Sequence, residues 1–160
     1  VADLNTFLLT GTTTAPADLV SIAVTATNDG IMNVPLGGTG FASLAAVNIG
    51  ANANLQARLS PNPIGVSGRT LAATLSMCQT NPNTGACITG QASVLNFTSN
   101  TNQTVTFSAF VTSNGQLIAF DPANKRLFVH FFQGNNPVGS ASVAVRTTAP
   151  DARLTTASAD

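Results

Sequence analysis

The sequence predicts an all-β domain, an antiparallel β-sandwich of about nine short strands closed by one disulfide. Three observations carry this expectation. Apolar residues recur with period two along most of the chain, and helical periodicity is nearly absent. Clusters of Gly, Pro, Asn and Asp interrupt the alternation at spacings of roughly 8 to 18 residues, as turns between short strands do. The two cysteines, Cys78 and Cys87, enclose a segment rich in turn formers.

The elements follow in order. Leu4–Leu9 reads as a short apolar strand, and Gly11-Thr12-Thr13-Thr14 after it as a polar link. Residues 1–14 therefore read as an arm, a candidate donor strand. Ser21–Ala26 alternates, with Ile22, Val24 and Ala26 expected to face inward, and stops at Asn28-Asp29-Gly30. Phe41–Ile49 places Phe41, Ala45, Val47 and Ile49 on one face. Leu55, Ala57 and Leu59 alternate up to a break at Pro61 and Pro63, and Leu71, Ala73, Leu75 and Met77 alternate up to Cys78. Ser93–Phe97 follows the cysteine loop, and Thr104–Val111 sets Val105, Phe107, Ala109 and Val111 on one side. Arg126–Gln133 and Ala141–Arg146 supply the last two strands.

In the first of these, Leu127, Val129 and Phe131 point one way and Phe128, His130 and Phe132 the other. The first set is expected to fill the inter-sheet core with Val143 and Val145. The second set is also rich in carbon, so that face is either covered or waiting for a partner. The domain organisation is thus an arm (1–14), a sandwich (15–147) of the immunoglobulin-like or jelly-roll type, and a polar tail (148–160) with little to bury.

Composition narrows the function classes. Only 8% of the 160 residues are charged, six Lys and Arg against six acids, all of them Asp. Hydrophobic residues are an ordinary 44%, so Thr, Ser, Asn and Gly have replaced charge on the surface. Near-zero net charge favours association over repulsion between copies. No basic patch points to nucleic acid, and no apolar run is long enough to span a bilayer as a helix.

Asn-Pro and Thr-Gly between Cys78 and Cys87 turn the chain back on itself, which can bring the two sulfurs together. A disulfide there implies an oxidising compartment: secreted, extracellular or cell-surface. The alternative is two free thiols in a reducing one. The chain opens without a charged and apolar leader, consistent with a signal peptide already removed.

Chemistry-bearing constellations are sparse. The one imidazole, His130, sits in the densest apolar strand and reads as a packed side chain, not a general base. The acids fall in turns and termini; Asp29 and Asp121 read as turn caps, with calcium as the competing role. One His and two Cys do not make a zinc site. Trp and Tyr are absent, which disfavours sugar stacking, and a single Lys with no Glu disfavours an isopeptide staple. Asn96-Phe97-Thr98 and Asn102-Gln103-Thr104 are formal glycosylation sequons. No catalytic residue, metal or cofactor is expected.

The segments CQTNPNTGAC (78–87), FDPANKRLFVHF (120–131) and SVAVRT (142–147) together resemble immunoglobulin-like modules of bacterial secreted and surface proteins. In such modules a cysteine-closed hairpin precedes a final pair of strands marked by an Asp-Pro-Ala-Asn turn. The resemblance covers the second half of the chain and is structural. It implies a spacer, an adhesive unit or a component of a surface structure, and brings no catalytic residues. The expectation is a non-enzymatic subunit of an extracellular bacterial fibre or surface assembly, pilus-like in using strand exchange between copies. Leu4, Phe7, Leu9, Phe128, His130 and Phe132 are the candidate assembly contacts. The alternative is a monomeric secreted adhesive, ligand-binding or spacer module.

Overall fold

The computed structural model describes residues 15–148. The expected strand Leu4–Leu9 and the tail beyond Thr148 lie outside the described residues. Nine strands run in chain order: β1 (Leu19–Thr25), β2 (Ile31–Pro35), β3 (Thr39–Asn48), β4 (Ala53–Ser60), β5 (Thr74–Thr80), β6 (Val94–Ser99), β7 (Thr104–Thr112), β8 (Arg126–Gln133) and β9 (Asn136–Thr148). They form two sheets, one of order β1-β3-β7-β5 and one of order β2-β9-β8-β4-β6.

The core lies between the sheets and is built from the alternating residues the sequence marks. Val105, Phe107, Ala109 and Val111 of β7 face Leu127, Val129 and Phe131 of β8, with Val143 and Val145 of β9 and Leu55 and Ala57 of β4. Phe97, Phe107 and Phe131 meet at its centre with ring centroids 5.2, 6.0 and 5.7 Å apart, two of the pairs edge to face. That geometry sets positive ring edges against negative faces, which adds to the apolar area each ring buries.

Two expectations are corrected here. First, β2 pairs with β9 in parallel, so the sheets are not purely antiparallel. This five-residue strand escapes the sequence because it ends in Pro35, whose missing N–H is tolerated only at a strand end or sheet edge. Second, Ile22 and Val24 face solvent, 62% and 42% exposed, while Leu19, Ser21, Ala23 and Thr25 take the inner side. The reason is steric. β9 passes so close to β1 that a Cβ placed on Gly139 would lie 2.5 Å from the Leu19 carbonyl oxygen. Beside this close approach the middle inner positions of β1, Ser21 and Ala23, carry small side chains, with Leu19 and Thr25 buried at its two ends. The face of β3 that holds Phe41, Ala45 and Val47 is the outer one, and Gly40, Ala42, Leu44, Ala46 and Asn48 are buried. Strand limits also move: β5 starts at Thr74 and runs past Cys78, and β9 starts at Asn136, directly after the Gly134-Asn135 turn.

One corner of the sandwich is fixed by a polar residue. Asn48 is fully buried at the end of β3. Its Oδ1 accepts from the N–H groups of Asp18 (3.2 Å) and Gly50 (3.0 Å), and its Nδ2 donates to the carbonyls of Ala51 (2.8 Å) and Ser99 (3.2 Å). All four side-chain hydrogen-bonding positions are thereby used. The side chain ties the start of β1, the β3–β4 crossover and the end of β6 together. Gly50 is required in that corner because a Cβ there would stand 2.3 Å from the Pro16 carbonyl oxygen.

Cys78 and Cys87 are joined by a disulfide, with Cα atoms 5.6 Å apart. The loop after β5 folds back along its edge: Met77 and Ala92 exchange N–H···O bonds of 2.9 and 3.0 Å, and the Ile88 N–H donates to the Gln79 carbonyl. No helix among the described residues is long and apolar enough to cross a membrane.

Candidate interaction surfaces

The sequence-marked residues on the outer side of β8 form a self-contained cluster. Phe128 and His130 stack at 5.4 Å and Phe132 meets His130 edge-on at 6.4 Å, while the Arg58 guanidinium lies 4.3 Å over the Phe132 ring. His130 is 5% exposed, and Phe128 and Phe132 are half-buried. The imidazole bonds the Asn62 carbonyl through Nε2 (2.8 Å) and the Ser140 hydroxyl through Nδ1 (2.9 Å). A carbonyl only accepts, so Nε2 carries the proton and Nδ1 accepts from Ser140. Burial pushes the imidazole below its ordinary value, opposed by the bond to Asn62. Cover for this face thus includes the segment after β4, and Leu4, Phe7 and Leu9 fall outside the described residues.

Ser140 and His130 are the nearest approach to a nucleophile–base pair. Neither lines either of the two principal grooves, and Nδ1 is held in a bond between paired strand residues. Asp29 and Asp121 are turn caps as the sequence suggests. Asp29 accepts from Thr27, Ile31 and Thr25, and Asp121 from Asn124; these bonds hold both carboxyls below the ordinary range. No group of three or more His, Cys, Asp or Glu residues is placed to hold a metal among the described residues.

The outer face of the first sheet has a different character. Its strands β1, β3, β7 and β5 contain no Asp, Glu, Lys or Arg. Register places Val20 beside Val47, Ile22 beside Ala45 and Val24 beside Ser43, with Phe41 beside Phe110. Of these, Val20 is 59%, Ile22 62% and Phe41 53% exposed. A shallow groove of about 440 Å³ runs between this apolar row and the disulfide loop, where Pro82, Thr84 and Gly85 form its far wall. Hydroxyls of Ser43, Thr106 and Ser108 line its floor. The cations within strands, Arg58, Arg126 and Arg146, all belong to the second sheet. An uncharged, partly apolar sheet face costs little to desolvate against a surface of like kind.

Sequence reading missed this face because it assigned Ile22 and Val24 to the core. The available signal was the absence of charge from all four strands.

No family model matches the chain, and no curated protein matches it. Among solved structures it is similar to an alkylpurine DNA glycosylase of Pseudomonas fluorescens bound to DNA containing an abasic site analogue, at 12% identity and a TM-score of 0.38 over 81% of this chain and 31% of that one. A β-glucosidase from Listeria innocua in complex with glucose follows at 10% identity and a TM-score of 0.37, over 84% of this chain and 17% of that one. A family 123 glycoside hydrolase from Clostridium perfringens gives 13% and 0.37, over 86% and 28%. The chain spans under a third of the length of each of these proteins. Likenesses this low carry no argument about function.

Proposed function

We propose that this chain is a non-enzymatic structural subunit of an extracellular fibre or surface assembly, built from copies of itself through exchange of the 1–14 arm. The observation that carries this reading is the uncharged outer face of the first sheet, with Val20, Ile22, Val24 and Phe41 bare to solvent. A second copy can cover that face without stripping water from any ion. A head-to-tail arm contact does not close on itself and so propagates. The disulfide is the chemistry of an oxidising compartment and supports an extracellular location.

The sandwich type belongs to the same proposal. Taken in chain order, β1, β3, β4, β5, β7, β8 and β9 occupy the places of strands A to G in an immunoglobulin-like domain, with A-B-E-D in one sheet and G-F-C in the other. This supports the immunoglobulin-like type over the jelly roll. β2 and β6 are additions at the edges of the second sheet.

The alternative, a monomeric adhesive or spacer module, is favoured by one observation: His130 is satisfied by Asn62 and Ser140 of its own chain, leaving little of that face for an arm. Light scattering separates the two. The full chain is expected to form particles far above its 16.2 kDa, and a double substitution Ile22→Lys, Phe41→Lys to reduce them without lowering thermal stability. A wild-type chain that stays monomeric at high concentration overturns the assembly reading.

A further inference from the structure

Two sheets have four edges among the described residues; those of β5 and β2 are bonded over by other segments, and that of β1 is crowded by β9 at one end. On β1, the Leu19 carbonyl is packed against the β9 backbone at Gly139. On β5, residues 86–92 run alongside, bonded at Met77–Ala92 and Gln79–Ile88 and locked by the disulfide. On β2, the outward Asn33 carbonyl lies against Gly40, and the Pro35 carbonyl accepts from the Gly38 N–H (2.8 Å) and the Ser113 hydroxyl (3.1 Å).

The fourth edge is β6, and it is open. β6 pairs only with β4, antiparallel, with Ala57 opposite Leu95 and Leu55 opposite Phe97. The Leu59 N–H donates to the Ser93 carbonyl at 3.0 Å and continues this register. Bonded and unbonded pairs alternate in an antiparallel ladder. Ser93, Leu95, Phe97 and Ser99 therefore direct their backbone groups at β4, and Val94, Asn96 and Thr98 direct theirs outward. None of those three backbones has a partner among the described residues. The edge carries none of the usual protection: Val94–Ser99 has no charge and no proline. A bond from Gln56 Nε2 to Asn96 Oδ1 (2.9 Å) links it to β4 from the outer side. Val94 is 43% exposed and Leu95 half-buried, leaving apolar surface on both sides of the edge for an added strand to cover.

We infer that β6 is the acceptor edge for residues Leu4–Leu9 of a neighbouring copy. This deepens the assembly reading and rests on it. The occupant is argued from the chain outside the described residues. Leu4–Leu9 is an uncharged segment of strand-like composition, as long as β6 itself, on a Gly-Thr-Thr-Thr link. The source is argued from where that segment leaves the sandwich. The Pro16 carbonyl accepts from the Ala51 N–H, and Thr101, just past β6, donates its hydroxyl to the Gly50 carbonyl at 2.7 Å. The chain thus enters the sandwich at the end where β6 finishes, and its own arm along this edge would run parallel to β6. A neighbour's arm is free to run antiparallel, the more stable pairing and the one that joins β6, β4 and β8.

The test uses the full chain, a chain lacking residues 1–14, and the variant Asn96→Pro. Proline at Asn96 removes an outward N–H and the exposed side-chain bond from Gln56 but no backbone bond to β4, so the fold tolerates it. Full chain is expected to assemble, and both altered proteins to be monomers that melt within a few degrees of each other. In the assembly the amides of Val94, Asn96 and Thr98 should exchange about 100-fold more slowly than in the truncated monomer. A synthetic peptide of residues 1–14 added to that monomer should shift the NMR signals of Val94–Ser99, an arm that needs no folded variant. If Asn96→Pro still assembles and the peptide leaves β6 unmoved, the acceptor is elsewhere and only the edge assignment falls. If the full chain is monomeric with slow β6 amides, the arm docks on its own sandwich and the trans contact is overturned. A monomer with fast β6 amides removes the assembly reading itself.

Discussion

Replacing Asn48 by alanine tests whether one buried amide holds the corner of the sandwich. The substitution removes four hydrogen bonds at once, of 3.2, 3.0, 2.8 and 3.2 Å, and leaves two N–H groups and two carbonyls to find other partners. A net contribution of about 1 kcal/mol per bond sets the scale at about 4 kcal/mol. Three of the partners, on Asp18, Gly50 and Ala51, are in partly buried bonds and can regain water; the bond to Ser99 is fully buried. The expected loss is therefore about 3 kcal/mol, which for a domain of this size lowers Tm by about 10 °C. Urea unfolding followed by circular dichroism reads it directly.

Asn48→Asp sharpens the test. The carboxylate keeps an acceptor for Asp18 and Gly50 but sets negative charge against two carbonyl oxygens in a site with no solvent exposure. Its folded pKa is raised, so its stability is fully present below the unfolded value near 3.9 and is lost as pH rises through the folded value. The variant should be less stable at pH 7 than at pH 4 relative to wild type. A loss below about 1 kcal/mol for Asn48→Ala, or no pH dependence for Asn48→Asp, would refute the view that this amide organises the corner.

Two further outcomes are expected. Replacing Cys78 and Cys87 together by alanine opens a short loop and should cost about 2.5–3 kcal/mol in the chain-entropy picture, measured as a lower urea midpoint at unchanged slope. His130, whose folded pKa lies below the ordinary 6.5, contributes stability that is present above that value and lost as pH falls through the folded one. Thermal melts of wild type should therefore decline between pH 7.5 and 5, and His130→Gln should flatten that decline; an equal slope in both proteins counts against a buried neutral imidazole.

Period-two alternation in β7 and β8 was enough to place Phe107, Phe131 and Val129 in the core, and the turn residues between Cys78 and Cys87 were enough to bring those cysteines together. Both are local signals. A strand with one much heavier face has one sensible orientation, and a ten-residue loop rich in Asn, Pro and Gly samples closed conformations readily. Such signals decide the all-β class and the disulfide.

Where both sets of side chains are apolar or small, the sequence is silent. In β1 the choice between Ile22 with Val24 and Ser21 with Ala23 goes with the approach of β9, more than a hundred residues later, whose backbone comes close against Leu19. The parallel pairing of β2, the fourfold use of Asn48 and the open edge of β6 have the same origin. Each depends on which backbone lies alongside, a property of packing between distant segments that no single stretch of chain encodes.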